Sequence, residues 1–418
     1  MNQITLHAIH KINNRIAYDF SVSEGLFDFF SGEEFVIEYP ENIEQVPDSV
    51  AVIPFVCNVL PIIWITNSSL VLEEIDEAFY NCIPHVRKGY ETMFPESKFL
   101  GEINADQIVP CDIAATGSSA VFFSGGLDAV HTLIRHLNES PMLVSIWGSD
   151  INYDNVSGWE TVHQGIAEYS GKYNLPDVVI RSTFREFDNE AALTKAFGKQ
   201  LKDNWWHGMK HGIGLLGHAA PYAYLKGISS VYIASSFCPD DGVARCASSP
   251  LTDDHVHFAN AKVIHDSFEC SRQDKIHNVL EYVRKTGEKI SLHVCWESRS
   301  GGNCCRCEKC YRTIAGLLAE GADPVAFGFA DAPDTVYDMQ RSFVYGNNTA
   351  PAIIVQWRHI QNAVLKNQNK IKKGSYWKYI RWLRTLDLDN PSSWRLSFLD
   401  RVCRKINQKT RVLKSRLR

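Results

Sequence analysis

The sequence predicts an α/β protein: an open parallel sheet with helices on both faces, preceded by a small N-terminal α+β domain and followed by a helical C-terminal tail. Three observations lead there. From about residue 117 to 330, short apolar runs alternate with stretches of helical period, the pattern of parallel strands joined by helices. The first forty residues instead alternate with period two, as half-buried strands do. From Arg358 onward the chain is basic and interleaved with aromatics.

Taken in order, Ile4–Ile9, Arg15–Phe20 and Phe35–Tyr39 read as strands of a small sheet, and helical spacing runs from Glu73 to Val86. Residues 1–112 are assigned to an accessory α+β domain. The apolar run Val52 to Thr66 falls short of the roughly 20 residues that span a bilayer. In the central domain, 117–330, strands are expected at Ala120–Phe123, Met142–Ile146, Val178–Arg181, Ser230–Ala234 and Ser291–Val294. Helices are expected at about 128–138, 159–173, 189–199, 207–226 and 271–286, with another starting near Tyr311. Residues 335–418 form a basic helical extension.

Composition narrows the class. At 418 residues and 45% hydrophobic content the chain can hold two or three packed domains. Twelve cysteines without a recognisable secretory leader point to a reducing compartment, and a cytoplasmic location is expected. The net charge of −5 hides a polarity. From Arg358 to Arg418 there are 17 Lys/Arg against 3 Asp/Glu, leaving 26 basic and 45 acidic residues before them. Trp377, Tyr379, Trp382 and Trp394 interleave with Lys378, Arg381, Arg384 and Arg395. Such a tail suits nucleic acid, a membrane surface or an acidic partner, or else packs as an amphipathic helical extension.

Two motifs carry the chemistry. Ser124-Gly125-Gly126-Leu127-Asp128 follows the apolar run Ala120–Phe123 and precedes the helical pattern from Val130. A strand that delivers a glycine turn to a helix N-terminus presents backbone N–H groups and the positive end of the helix dipole to an anion. The spacing is neither that of a Walker A loop nor that of the three-glycine dinucleotide fingerprint. The second motif is Cys295, Cys304, Cys307 and Cys310, in the spacing C-x8-C-x2-C-x2-C. Four thiolates satisfy a tetrahedral zinc ion, and two-residue gaps let both sulfurs of a pair reach it. Such a site is structural because no position stays open. Cys305 is out of phase, and Gly301 and Gly302 supply a turn before the knuckle.

The first motif resembles the pyrophosphate loop, S-G-G-x-D-S/T, of the ATP pyrophosphatase (PP-loop) superfamily, with Ala129 where that pattern ends in a hydroxyl residue. Loop and cysteine spacing together resemble the zinc-containing 7-cyano-7-deazaguanine synthases, over about residues 117–320. The resemblance implies the adenine nucleotide alpha hydrolase-like (HUP) type of sheet. It also implies an ATP-dependent C–N ligase: a carboxylate is adenylated with release of pyrophosphate, and ammonia or an amine displaces AMP to give an amide or nitrile. ATP and Mg²⁺ would be held by Ser124, Gly125, Gly126, Leu127 and Asp128, with Asp150 near the ribose or metal. Arg272 and Lys275, at a helix start where related enzymes carry a cation, would neutralise developing charge. The acceptor is a small-molecule carboxylate or a modified macromolecule, and a homo-oligomer is compatible with this reading.

Bland alternatives accompany the lesser candidates. Ser149 and Asp150 also suit a cap or turn, Ser271 with Asp274 makes a capping box, and Ser235–Gly242 has the composition of a surface turn. His207, His211 and His218 share a helix face, yet the glycines at 208, 212, 214 and 217 fit close packing of that helix on the sheet better than a metal site. Two rival functions remain. A tRNA-directed sulfur or nitrogen transfer enzyme needs a nucleophilic thiol, for which Cys238 and Cys246 are the candidates. A non-catalytic nucleotide-binding module would treat Ala129 as the mark of a decayed site.

Overall fold

The computed structural model describes residues 2–111, 116–242, 245–295, 297–298, 300–330, 351–371 and 377–389. Two compact units emerge: Met1–Cys270 with Ser298–Gly302, and Ser271–Glu297 with Asn303–Arg418.

The first unit is built on one 11-stranded sheet. Its strands are β1 (Gln3–Ile12), β2 (Arg15–Val22), β3 (Val36–Glu38), β4 (Ser69–Asp76), β5 (Glu102–Val109), β6 (Ser118–Phe122), β7 (Met142–Trp147), β8 (Asp177–Ser182), β9 (Ile228–Ala234), β10 (His257–Phe258) and β11 (Ala261–Asp266). They lie in the order β10-β11-β9-β6-β7-β8-β3-β2-β1-β4-β5. The run from β11 to β8 is parallel throughout. In chain order these five strands read 3-2-1-4-5 across the sheet, a doubly wound, Rossmann-like arrangement whose order reverses between β6 and β9.

The first 112 residues do not close a sheet of their own. β3 pairs antiparallel with β8, Ile37 opposite Ser182 and Glu38 opposite Arg181, so β1–β5 continue the central sheet. The hydrophobic core is shared accordingly: Ile4, Ile16 and Ile37 belong to the same cluster as Val144, Val178 and Val231. The helices of this unit are α1 (Asp48–Ala51), α2 (Ile53–Thr66), α3 (Glu77–Met93), α4 (Leu127–His136), α5 (Val156–Tyr173), α6 (Glu190–Leu201), α7 (His211–Leu216) and α8 (Ala219–Lys226). The apolar run from Val52 is α2, buried from Ile53 to Trp64; a helix apolar all round belongs inside a core. No helix among the described residues is long and apolar enough to cross a membrane.

Some elements differ from expectation. The helix expected from Glu73 begins at Glu77, because β4 runs on to Asp76, whose side chain caps α3 by accepting from Phe79 N. The single helix expected over 207–226 is a π turn, Trp206–Lys210, followed by α7 and α8. The glycines do permit close approach, but to α2: a Cβ on Gly217 would meet Cys57, and one on Gly214 would meet Asn58.

In the second unit, α9 (Arg272–Thr286) and α10 (Glu308–Ala319) are followed by α11 (Pro351–Lys366) and α12 (Trp377–Thr385). Ser291–Val294 is not a strand. Its backbone is held by Phe327 O, which accepts from Leu292 N, and by the Asn303 side chain. Within the C-terminal extension, Ile380 and Leu383 are buried, Arg381 is exposed, and Gln361 donates to the carbonyls of Leu383 and Leu386. The expected contributions of Trp394 and Arg395 lie outside the described residues.

Candidate functional site

Phe123 to Gly126 connect β6 to α4 at the reversal of strand order, where open α/β sheets bind ligands. Gly125 has φ +71°, a left-handed conformation that costs a side-chain-bearing residue energy. Gly126 is the N-cap of α4 and no side chain caps it. The N-cap of this ten-residue helix thus contributes no side-chain acceptor, and a helix N-terminus of that kind suits an anion. Ser124 is exposed beside the turn, and its Oγ accepts from Gly126 N at 3.4 Å. Leu127, Asp128 and Ala129 are buried. The methyl of Ala129 therefore packs in the interior.

Beyond β7, Gly148 has φ +113° and lies so close to β8 that a Cβ would stand 1.8 Å from Ser182 O. That approach brings aromatic and cationic groups together. The rings of Trp147 and Trp159 stack at 5.4 Å, and the Arg181 guanidinium lies 4.2 Å from the Trp147 ring and 3.9 Å from that of Tyr153. Asp150 is exposed, while the neighbouring Ser149 carbonyl accepts from Arg185.

A buried polar cluster at the end of β11 was not anticipated. Asp266 accepts from Thr132 on α4 at 2.8 Å and from His136 at 3.2 Å, and Ser267 also donates to it. Burial alone would raise its pKa, but these bonds and the charge of Arg135 hold the carboxyl far below the ordinary range. Ser267 also bonds the His131 ring at 3.0 Å. The cluster anchors α4, the helix behind the glycine turn, to the sheet. An acid closing the β-branched run Val263-Ile264 was the available signal.

In the second unit, Arg272 and Lys275 occupy the first turn of α9 and both are buried. Arg272 donates to Thr313 on α10 at 3.0 Å. The capping box forms: Ser271 Oγ accepts from Asp274 N, and Asp274 accepts from Ser271 N.

The same unit brings the four cysteines together. Cys295 Sγ and Cys307 Sγ are 3.9 Å apart, Cys304 Sγ and Cys310 Sγ 4.0 Å, and all four sulfurs lie within 4.8 Å of one another. Four sulfurs at ~2.3 Å from a tetrahedral zinc stand about 3.8 Å apart, so this group could hold such an ion once its wider separations, none above 4.8 Å, close in. Cys307 is also the N-cap of α10, its sulfur accepting from Cys310 N. The hydrogen bond from the Cys310 thiol pulls the Cys307 thiol down to about 6 against the opposing effect of burial. That same bond pushes Cys310 up, and burial pushes Cys295 up to about 11. Without a cation the set favours one thiolate; a divalent ion stabilises four. Asn303 braces the knuckle through Val294 N, Leu292 O and Gly328 O. Cys305 stays outside, bonded to Asn303 O and Ala330 N.

His218 parts from His207 and His211. His218 is buried between Gly214 O and Ser182 Oγ, whereas His207 bonds Asp203. No metal-ligating group among the described residues includes them. The two candidate thiols also part company. Burial pushes Cys238 up to about 11, and its side chain caps the turn Pro239–Asp241. Cys246 faces His207 and His211.

Fold and site together define an α/β protein with a doubly wound parallel sheet, a glycine turn at its switch point and a four-cysteine group able to bind a metal such as zinc. No protein-family model, curated protein or solved structure matches the chain.

Proposed function

We propose that the Ser124–Asp128 turn binds the phosphates of ATP, and that the protein activates a substrate carboxylate as its adenylate before ammonia or an amine displaces AMP. The observation that supports this best is the uncapped N-terminus of α4 behind a left-handed glycine, at the reversal of strand order. The amides of Gly125, Gly126 and Leu127 hold the β,γ-phosphates, with Ser124 adding a hydroxyl. Mg²⁺ bound with ATP would screen phosphate charge, with Asp128 as its nearby carboxylate. Attack of the carboxylate on the α-phosphorus expels pyrophosphate. Attack of the amine on the acyl carbon then expels AMP. Holding these anionic groups in line is most of the catalytic task. The sheet belongs to the HUP type on this reading, and the four-cysteine zinc is structural.

The test is calorimetric titration of the full chain with MgATP. Loss of one hydrogen bond to a charged group, in Ser124→Ala, costs about 1.5 kcal/mol, close to tenfold in affinity. Unchanged affinity would remove Ser124 from the site.

A further inference from the structure

One polar cluster of the first unit has no part in nucleotide binding. It begins with the π turn Trp206–Lys210, which interrupts the glycine-rich helical run; such turns concentrate at functional sites. The turn sets His207 against Asp203, with Nδ1 hydrogen-bonded to the carboxylate. That bond fixes the ring and leaves Nε2 as its other face. Ala247 N donates to His207 O at 2.9 Å, which ties the backbone next to Cys246 to that of His207. The Cys246 sulfur, on a residue only 3% exposed, faces the imidazoles of both His207 and His211. Nδ1 of His211 is buried with no hydrogen-bond partner among the described residues. Among the described residues nearby, Tyr90 from α3 donates to Met209 O, Arg245 pairs with Glu96 at 3.1 Å, and Asp253 accepts from Ser248 at 2.7 Å.

We propose that Asp203, His207 and Cys246 form a nucleophilic thiol site that accepts acyl groups from small activated esters or thioesters. Cys246 is the nucleophile, His207 the proton acceptor and Asp203 the positioning residue. Burial would raise the thiol, but the two imidazoles outweigh it and pull Cys246 down to about 6. Burial would likewise lower His207, yet its bond to Asp203 and the sulfur's charge carry it up to about 10. At neutral pH the pair is thiolate and imidazolium. The sulfur's electron pair attacks an ester carbonyl carbon and forms a C–S bond. The C–O bond breaks, and the departing oxygen keeps its electron pair and takes the His207 proton. Water then attacks the thioester while His207 accepts its proton; the C–S bond breaks, and the acid and thiolate are released. None of this uses ATP.

The test uses the full chain without nucleotide, with p-nitrophenyl acetate and iodoacetamide as probes and the modified peptide identified by mass spectrometry. The expected results are a stoichiometric p-nitrophenolate burst with acetyl on Cys246, and alkylation of Cys246 with a pH midpoint near 6. His207→Gln should move that midpoint up by more than two pH units, and Asp203→Asn by less, with circular dichroism unchanged. Cys246→Ser should abolish the burst. A wild-type midpoint at or above the ordinary thiol value of about 8.5, or a Cys246 that neither acetylates nor alkylates in the folded protein, would overturn the proposal.

Discussion

Replacing Cys307 separates two roles that the structure gives one sulfur. As one of four ligands it faces Cys295 at 3.9 Å; as N-cap it accepts from Cys310 N at 3.5 Å. Cys307→Ser keeps a strong capping oxygen but removes a soft ligand, whereas Cys307→Ala removes both. Losing a cap costs about 1 kcal/mol. Structural zinc contributes apparent binding free energies of about 10–16 kcal/mol in small zinc-dependent peptides. The second unit keeps an apolar interior of its own around Ile314, Leu317 and Val364, so only part of such an energy appears as stability here. Metal analysis of the purified chain should find one zinc, lost in both Cys307 variants and retained in Cys305→Ser. With chelator present, thermal denaturation should place Cys307→Ala about 1 kcal/mol below Cys307→Ser. Zinc retained in the Cys307 variants, or lost equally in Cys305→Ser, would refute the ligand assignment.

Three further outcomes follow from the first unit. Gly148→Ala forces a Cβ onto Ser182 O at a left-handed φ, and urea denaturation should show a loss of about 3 kcal/mol or more. Gly125→Ala strains the turn by about 1–2 kcal/mol, and calorimetry should show weaker MgATP binding with secondary structure intact. Asp266→Asn removes the charge and one of the two acceptor oxygens that serve Thr132, His136 and Ser267, and should cost about 3 kcal/mol near pH 5.5. The sign follows from the partners. The depressed Asp266 contributes above about pH 4 and fades as pH falls below it. His136 is raised because its bonds to Asp266 and Glu139 outweigh burial, so it contributes below about pH 6.5 and fades as pH rises past it. Urea curves of wild type and variant should therefore differ most between these limits.

The central strands were legible because each is a short β-branched or apolar run set between helical stretches: β6, β7, β8 and β9 fall within two residues of expectation. The glycine turn was plain because two glycines stand between an apolar run and a helical pattern, and the cysteine group because of its two-residue gaps. Pairing between distant strands was not legible. Nothing local to Val36–Glu38 marks it as the partner of β8, and that contact carries the N-terminal strands into the central sheet. β11 was overlooked because charged and aromatic residues interrupt its apolar alternation at Lys262 and His265. Helical periodicity cannot show a π turn, so His207 and His211 gained their relation to Cys246 only in three dimensions.

The central claim is that the Ser124–Asp128 turn supports cleavage of ATP between its α- and β-phosphorus atoms. A mass-spectrometric nucleotide balance with ATP, Mg²⁺ and ammonium, with and without 7-carboxy-7-deazaguanine, tests it most directly. The account predicts AMP and pyrophosphate in equal amounts, formed with the deazapurine amide or nitrile and diminished in Gly125→Ala. ADP and phosphate as products, or no AMP although MgATP binds and the carboxylate is present, would contradict it.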